Sequence, residues 1–344
     1  MALRRLDSCG DHYAGADIFA KWAGQTGVTL VAGGPSGNFL RLAASQNNTI
    51  SMALTVDAVT VIFGFRLRMS VLPSTETTLL RLSSGASRED NIFVKISPAA
   101  RIVIYYYNNG FFLITQSAPS VLLPNTWQYV EVKVLHALSA TGTVDVRVGG
   151  VTVISETGKI TADPGGAAYC SRLDWQGNND GTTDIDDIYV CDATGALNNN
   201  FLGDIRVDVL KPNGVGRIQQ WGVTGAATHH EATDETTLDG DTTYISESVL
   251  NDVDVVAMED LPADVTSVLG VQACIAAKKA DLGAREITTM IGDGVSEVAS
   301  TNEKYLWMSA YGYLLTQYDQ DPVSAAAWTP AKVNAAQLGV KITA

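Results

Sequence analysis

The sequence predicts an all-β protein: a jelly-roll β-sandwich followed by a second β-sandwich-like domain with one short C-terminal helix. Three observations carry this reading. Short runs with apolar side chains at every second position recur along the chain, separated by Gly, Asn, Pro and Ser. The composition joins 46% hydrophobic to 17% charged residues and 31 glycines, which suits a packed core crossed by tight turns. The length of 344 residues exceeds one compact sandwich and fits two domains, each able to bury its own core.

The first strands are expected at 28–31, 38–42 and 49–54. Val61–Met69 (VIFGFRLRM) alternates, with Ile62, Gly64, Arg66 and Arg68 on one face and Val61, Phe63, Phe65, Leu67 and Met69 on the other, which predicts a half-buried strand. Strands follow at 79–82, 92–96, 101–107 and 111–115. The last two are joined by Asn108-Asn109-Gly110, a hairpin signal because Asn and Gly tolerate positive φ. Further strands are expected at 127–135, 143–148, 151–155, 169–175 and 185–190, and this near-regular spacing indicates a sandwich or jelly roll.

The polar stretch Asp192–Asn200 (DATGALNNN) reads as the boundary, giving domains 1–195 and 196–344. The second domain is expected to open with a strand at 203–210 and a turn at Pro212-Asn213-Gly214. A long loop at 224–241, strands at 253–258 and 268–279, a helix at 330–338 and a closing strand at 339–342 complete it. No internal repeat or heptad seam is present, so a long fibrous shaft is not encoded.

The net charge of −14 is uneven: residues 201–344 carry 20 acidic and 9 basic side chains, and none of the basic ones falls between Arg217 and Lys278. Clustered Lys and Arg are what bind phosphate backbones, so nucleic-acid binding is disfavoured. The chain starts without the apolar h-region of a signal peptide, and no stretch approaches the roughly 20 apolar residues that span a bilayer, so no membrane association is expected. The four cysteines, Cys9, Cys170, Cys191 and Cys274, have no CxxC pair, which argues against structural zinc. Buried free thiols are the expected state of Cys170 and Cys191, with a disulfide between neighbouring strands as the alternative.

The runs Trp127–Val134, Gly142–Gly150 and Asp184–Val190 resemble the second half of a laminin-G or concanavalin-like (lectin-like) jelly roll, in which a Trp-led strand, a Gly-turn hairpin and an Asp-Asp-Ile-x-Val strand close the domain. A second resemblance spans most of the chain and is to virion proteins of tailed bacteriophages. It rests on Leu6-Asp7-Ser8 to Tyr13 with Lys21-Trp22, on Ile185–Val190 leading to Asn200–Val207, on Leu210–Gly214, on Asp239–Ile245, and on Trp328-Thr329-Pro330 to Gly339-Val340-Lys341. It implies a structural component of the particle, made in the host cytoplasm and mediating attachment as a tail tip or fibre, with other virion proteins or a host-surface glycan as partners. Homotrimerisation is implied by the same resemblance. A capsid decoration or head-fibre protein and a carbohydrate-active enzyme are the alternatives. The expectation is a chain that binds without turnover and carries no cofactor.

Several sets of side chains carry candidate chemistry. Asp184 and Asp186 share a strand face, and with Asn178, Asn179 and Asp180 from the preceding loop they offer hard oxygen ligands of the kind that hold Ca2+. The alternative is an acidic strand edge that discourages edge pairing. Glu131 and Asp145 on neighbouring strands could flank a glycosidic bond, but exposed strand faces are the expected role. His229-His230 with Glu231 and Asp234 suggests a metal pair, although adjacent residues of an extended chain point apart and a loop is expected. Ser8, Cys9, Asp11 and His12 lack an orienting neighbour and form no nucleophilic set. Tyr105, Tyr106, Tyr107, Phe111 and Phe112 are the densest aromatic cluster, divided between core packing, a subunit interface and stacking on sugar rings.

Overall fold

Strand alternation sends one set of side chains inward and the other outward, and the inward sets of two sheets make the core of the first unit. The computed structural model describes residues 2–9, 21–85, 89–236, 238–305 and 310–344. The first unit runs to Val207 and the second begins at Asp208, so the division falls after the expected boundary at residue 195.

Fifteen strands build the first unit among the described residues. They are β1 (Leu3–Asp7), β2 (Gly24–Thr26), β3 (Val28–Gly34), β4 (Gly37–Leu42), β5 (Thr49–Ala58), β6 (Thr60–Met69), β7 (Thr77–Ser84) and β8 (Glu89–Ile96). After them come β9 (Ile102–Tyr107), β10 (Phe111–Gln116), β11 (Gln128–Leu135), β12 (Gly142–Val148), β13 (Val151–Lys159), β14 (Cys170–Gln176) and β15 (Thr183–Asp192). An eight-stranded sheet has the order β13-β12-β11-β6-β15-β4-β3, with β1 also on β15; a seven-stranded sheet has the order β10-β9-β8-β7-β14-β5-β2. Every ladder is antiparallel, and the β9–β10 hairpin forms around Asn108–Gly110, with Asn109 at φ 52° as its turn requires.

Phe63 and Phe65 of β6 and Leu173 and Trp175 of β14 are almost wholly buried. Phe65 meets Trp175 edge to face at 5.8 Å, tying one sheet to the other. The expectation that β6 is half-buried is corrected at Ile62, which is fully buried on the outward face. A second apolar cluster of Leu3, Ile62, Tyr129, Tyr189 and Cys191 covers that face, with Leu6, Phe201, Leu202 and Ile205 packed on it.

The second unit contains β16 (Pro212–Gln219), β17 (Gly222–Thr224), β18 (Tyr244–Ser246), β19 (Val253–Met258), β20 (Val271–Ala277), β21 (Glu286–Gly292), β22 (Glu297–Tyr305), β23 (Gly312–Tyr318), α1 (Pro330–Asn334) and β24 (Gln337–Ile342). A five-stranded antiparallel sheet, β16-β19-β24-β21-β22, is accompanied by the ribbons β17–β18 and β20–β23. Its core gathers Ala273, Ile291, Tyr318, Trp328 and Val333. The helix starts where Thr329 caps it and Pro330 supplies the pre-set φ of the first turn. It is shorter than expected, because residues 337–342 enter the sheet instead.

Two expectations for this region are corrected. Residues 203–210 form no strand, because backbone N–H groups at Gly203 and Val207 find side-chain partners on the first unit's sheet. Pro212-Asn213-Gly214 is not a turn but the start of β16, an edge strand that tolerates Pro. No helix among the described residues is long and apolar enough to cross a membrane.

Candidate functional site

The register of the seven-stranded sheet sets one row of side chains across its outer face. Leu113 lies opposite Tyr105, Tyr105 opposite Phe93, Phe93 opposite Arg81, Arg81 opposite Asp174, Asp174 opposite Ser51, and Ser51 opposite Gly24. Directly paired residues share a face, so this row runs at right angles to the strands over about 29 Å at the ~4.8 Å strand spacing. One half is aromatic and the other polar.

In the aromatic half Phe111, 49% exposed, stands beside Phe93, Tyr105 and Tyr107 with ring centroids 4.9, 5.8 and 5.4 Å away. Lys95 places its ammonium 3.5 Å from the Phe111 ring centre and 3.6 Å from Glu76, whose carboxylate also accepts the Tyr105 hydroxyl at 3.2 Å. Partial burial and the Glu76 charge raise the Tyr105 pKa, so its hydroxyl stays protonated. In the polar half Asp174 is buried, with Arg172 Nε at 2.6 Å, Arg81 at 4.0 Å and the Ser51 hydroxyl donating to it.

The five aromatic residues singled out from the sequence are thus divided by alternation. Tyr105, Tyr107 and Phe111 stand on the outer face, Tyr105 within the row and the other two beside it, whereas Tyr106 and Phe112 stack on each other at 5.0 Å on the opposite face of the hairpin. Arg81, Asp174 and Ser51 were missed because residues far apart in sequence become neighbours only through the register.

The acidic set does not gather. Asp184 accepts Arg41 at 2.7 and 3.0 Å and Arg68 at 2.9 and 2.7 Å, so its charge is already answered. Asp180 accepts the Ser74 N–H and hydroxyl, Asn179 accepts the Gln46 N–H, Asn178 donates to the Val71 carbonyl, and Asp186 accepts the Asp187 N–H. Among the described residues no group of three or more His, Cys, Asp or Glu could hold a metal ion.

Asp187 holds a place that the sequence did not reveal. It sits at a bulge of β15 with φ 47° and is fully buried. Its carboxylate accepts Ser36 Oγ at 2.5 Å, Arg66 Nε at 2.6 Å and the Val207 N–H at 2.8 Å, while its carbonyl accepts the Tyr129 hydroxyl at 3.0 Å.

Glu131 is 1% exposed, which corrects its expected place on an open face: it accepts the Tyr189 hydroxyl at 2.6 Å and the Gly203 N–H at 2.8 Å. Asp145 instead accepts Ser155 at 2.7 Å. Burial raises the pKa of both Tyr129 and Tyr189 far above the ordinary tyrosine value, so both remain hydroxyl donors.

In the second unit His229 and His230 part company. His229 Nδ1 lies 2.8 Å from the buried Asp254 carboxylate, close but poorly aligned, and His230 Nε2 lies 3.5 Å from Thr228 Oγ1. Burial raises the Asp254 pKa, against the pull of the Trp221 N–H and His229. Ser8 and Cys9 are buried, and Asp11, His12 and Tyr13 lie outside the described residues. All four cysteines are free; Cys170 and Cys191 stand on different sheets, which leaves no disulfide between neighbouring strands.

No family model and no curated protein matches the chain. Solved structures do. The endo-β-1,4-glucuronan lyase of the fungus Trichoderma reesei aligns at 12% identity and TM-score 0.40, over 53% of this chain and 93% of that one. A marine alginate lyase from Aplysia kurodai aligns at 10% and 0.44, over 55% and 99%. A carbohydrate esterase from the Shiga toxin-encoding bacteriophage phi24B aligns at 13% and 0.35, over 54% and 99%. The expectation of a chain without enzymatic activity is corrected by these neighbours, because enzymes acting on carbohydrates are built on similar β-sandwiches. With every TM-score below 0.5 the likeness assigns no substrate, reaction or residue to this chain.

Proposed function

We propose that this protein is a carbohydrate-directed protein whose first unit takes a polysaccharide across the outer face of the seven-stranded sheet. The observation that carries the reading is the transverse row from Leu113 through Tyr105, Phe93, Arg81 and Asp174 to Ser51. Sugar rings present apolar C–H faces that stack on Phe111 and Tyr107, and hydroxyl edges that accept hydrogen bonds from the partly exposed Arg81 and Arg172, which the buried Asp174 and Ser51 hold from beneath. From Leu113 to Ser51 the row crosses six strands, about 24 Å at the ~4.8 Å strand spacing, which suits a chain of several sugars better than a single one. Its charged half is pre-arranged, since Arg172 and Asp174 already hold each other in place.

The test is affinity electrophoresis in gels containing neutral and acidic bacterial surface polysaccharides, with the wild type beside Phe111→Ala and Tyr105→Ala. Retardation by at least one polysaccharide that falls tenfold or more in both variants supports the reading; equal retardation of all three proteins removes it. Sizing the polysaccharide after incubation separates binding from chain cleavage.

Residence on a phage particle is also our proposal and rests on the sequence motifs alone. Antibody labelling of intact particles viewed by electron microscopy tests it: label at the tail tip supports host attachment, label over the head favours capsid decoration, and unlabelled particles reject both.

A further inference from the structure

The segment Asn200–Val207 lies on the outer face of the eight-stranded sheet in the manner of a bound peptide. It makes no strand of its own. The Leu202 N–H donates to Tyr189 Oη at 3.1 Å, the Gly203 N–H to Glu131 at 2.8 Å and the Val207 N–H to Asp187 at 2.8 Å. Arg66 pairs with the Asp204 carboxylate at 2.8 Å and reaches the Ile205 carbonyl at 3.4 Å, and Lys133 Nζ donates to Asn200 Oδ1 at 3.3 Å. Phe201 lies beneath the Arg147 guanidinium at 4.5 Å, and Phe201, Leu202 and Ile205 pack on the apolar cluster around Tyr129 and Tyr189.

In these interactions the sheet supplies side chains, and the segment supplies four backbone groups together with the side chains of Asn200, Phe201, Leu202, Asp204 and Ile205. Such recognition needs the segment's shape and chemistry, not its covalent continuity with β15. The stretch that joins the two, residues 193–200, is exposed except at Asn198 and turns through Gly195 at φ 75° and Asn198 at φ 54°.

We propose that this face is a recognition groove for an extended segment of the pattern Phe-Leu-Gly-Asp-Ile, and that its occupant is exchangeable with the same segment of a second copy of this chain. A second copy brings the same three N–H groups, the same Asp204 to Arg66 and the same apolar side chains, so each interaction broken on opening is made again on exchange. The balance between a closed monomer and an exchanged oligomer then depends on the connecting loop and on concentration. This groove and the polysaccharide row lie on different sheets, so either reading can fail without the other.

The test uses the full chain carrying Asn200→Asp, an exposed position beside Lys133. Equal amounts of ordinary and 15N-labelled chain are mixed unfolded, refolded together and treated with a zero-length carbodiimide. Peptides that join Lys133 to the new carboxylate at position 200 are then read by mass spectrometry. The expected result is linked pairs that join one light and one heavy chain, up to half of all such pairs. Links confined to pairs of a single isotope overturn the proposal, because the segment then closes only on its own chain. Absence of any link between Lys133 and position 200 also overturns it, because the groove is then not occupied as described.

Discussion

The Tyr189 hydroxyl donates to Glu131 at 2.6 Å and in the same place accepts the Leu202 N–H at 3.1 Å, so a single oxygen ties β15, β11 and the crossing segment together. Around it Glu131, Tyr129 and Asp187 are all buried, and a polar cluster in such a setting stabilises only while its members remain paired.

Tyr189→Phe removes the hydroxyl while keeping the ring. A buried carboxylate then loses a donor and the Leu202 N–H loses its acceptor, which is expected to cost about 1–3 kcal/mol. Urea unfolding reads the loss, and faster amide exchange at Leu202 with little change in β14 would localise it to the segment.

Gly64 is the floor on which two rings rest. A Cβ there would lie 2.3 Å from Tyr189 and 2.7 Å from Tyr129, whose rings run nearly parallel with centroids 6.4 Å apart. Gly64→Ala is therefore expected to destabilise the first unit by about 1–3 kcal/mol through overpacking. An unchanged urea midpoint would show that the rings can shift aside.

Asp184 is nearly wholly buried, whereas its partners Arg41 and Arg68 retain 34% and 22% side-chain exposure. Asp184→Asn leaves two guanidinium groups without their anion. Because water still reaches both arginines, the expected loss falls at or below the low end of the ~3–5 kcal/mol typical of broken buried pairs. The same geometry predicts that millimolar calcium leaves the melting temperature of the wild type unchanged; a clear rise would restore the metal reading.

His136 is buried, its Nδ1 lying 3.0 Å from the Thr161 carbonyl, and burial lowers its pKa to about 4. The unfolded chain takes up a proton near pH 6.5, where the folded chain does not. The contribution of this group is therefore fully present above pH 6.5 and is lost as the pH falls towards 4, by about 3 kcal/mol at most. His136→Asn, whose amide can donate to the same carbonyl, should unfold with a flatter dependence between pH 6.5 and 4. Equal slopes for the two proteins would place the titration elsewhere.

Strand content and the hairpin at Asn108–Gly110 were legible because alternation and turn chemistry are local properties of a chain. The division of Tyr105, Tyr107 and Phe111 from Tyr106 and Phe112 follows from the same period of two. The strands β1, β2, β17, β18 and β21 to β23 were not anticipated: β2, β17 and β18 are only three residues long, and the Thr, Glu and Gly content of β21 to β23 weakens the apolar alternation, so that they are held by ladders such as β21 on β24.

By itself the sequence determined that this is an all-β chain, acidic in its second part, with the strands β3 to β15 and their turns in nearly the right places. Only the tertiary structure decided which charges meet. Asp184 reads as a metal ligand until Arg41 and Arg68 arrive from β4 and β6, and Glu131 reads as exposed until Gly203 closes over it. The reason is physical: local periodicity tells each side chain which face to take, but its partners on that face are set by strand register and by a segment that crosses the sheet, and both depend on residues distant in the chain.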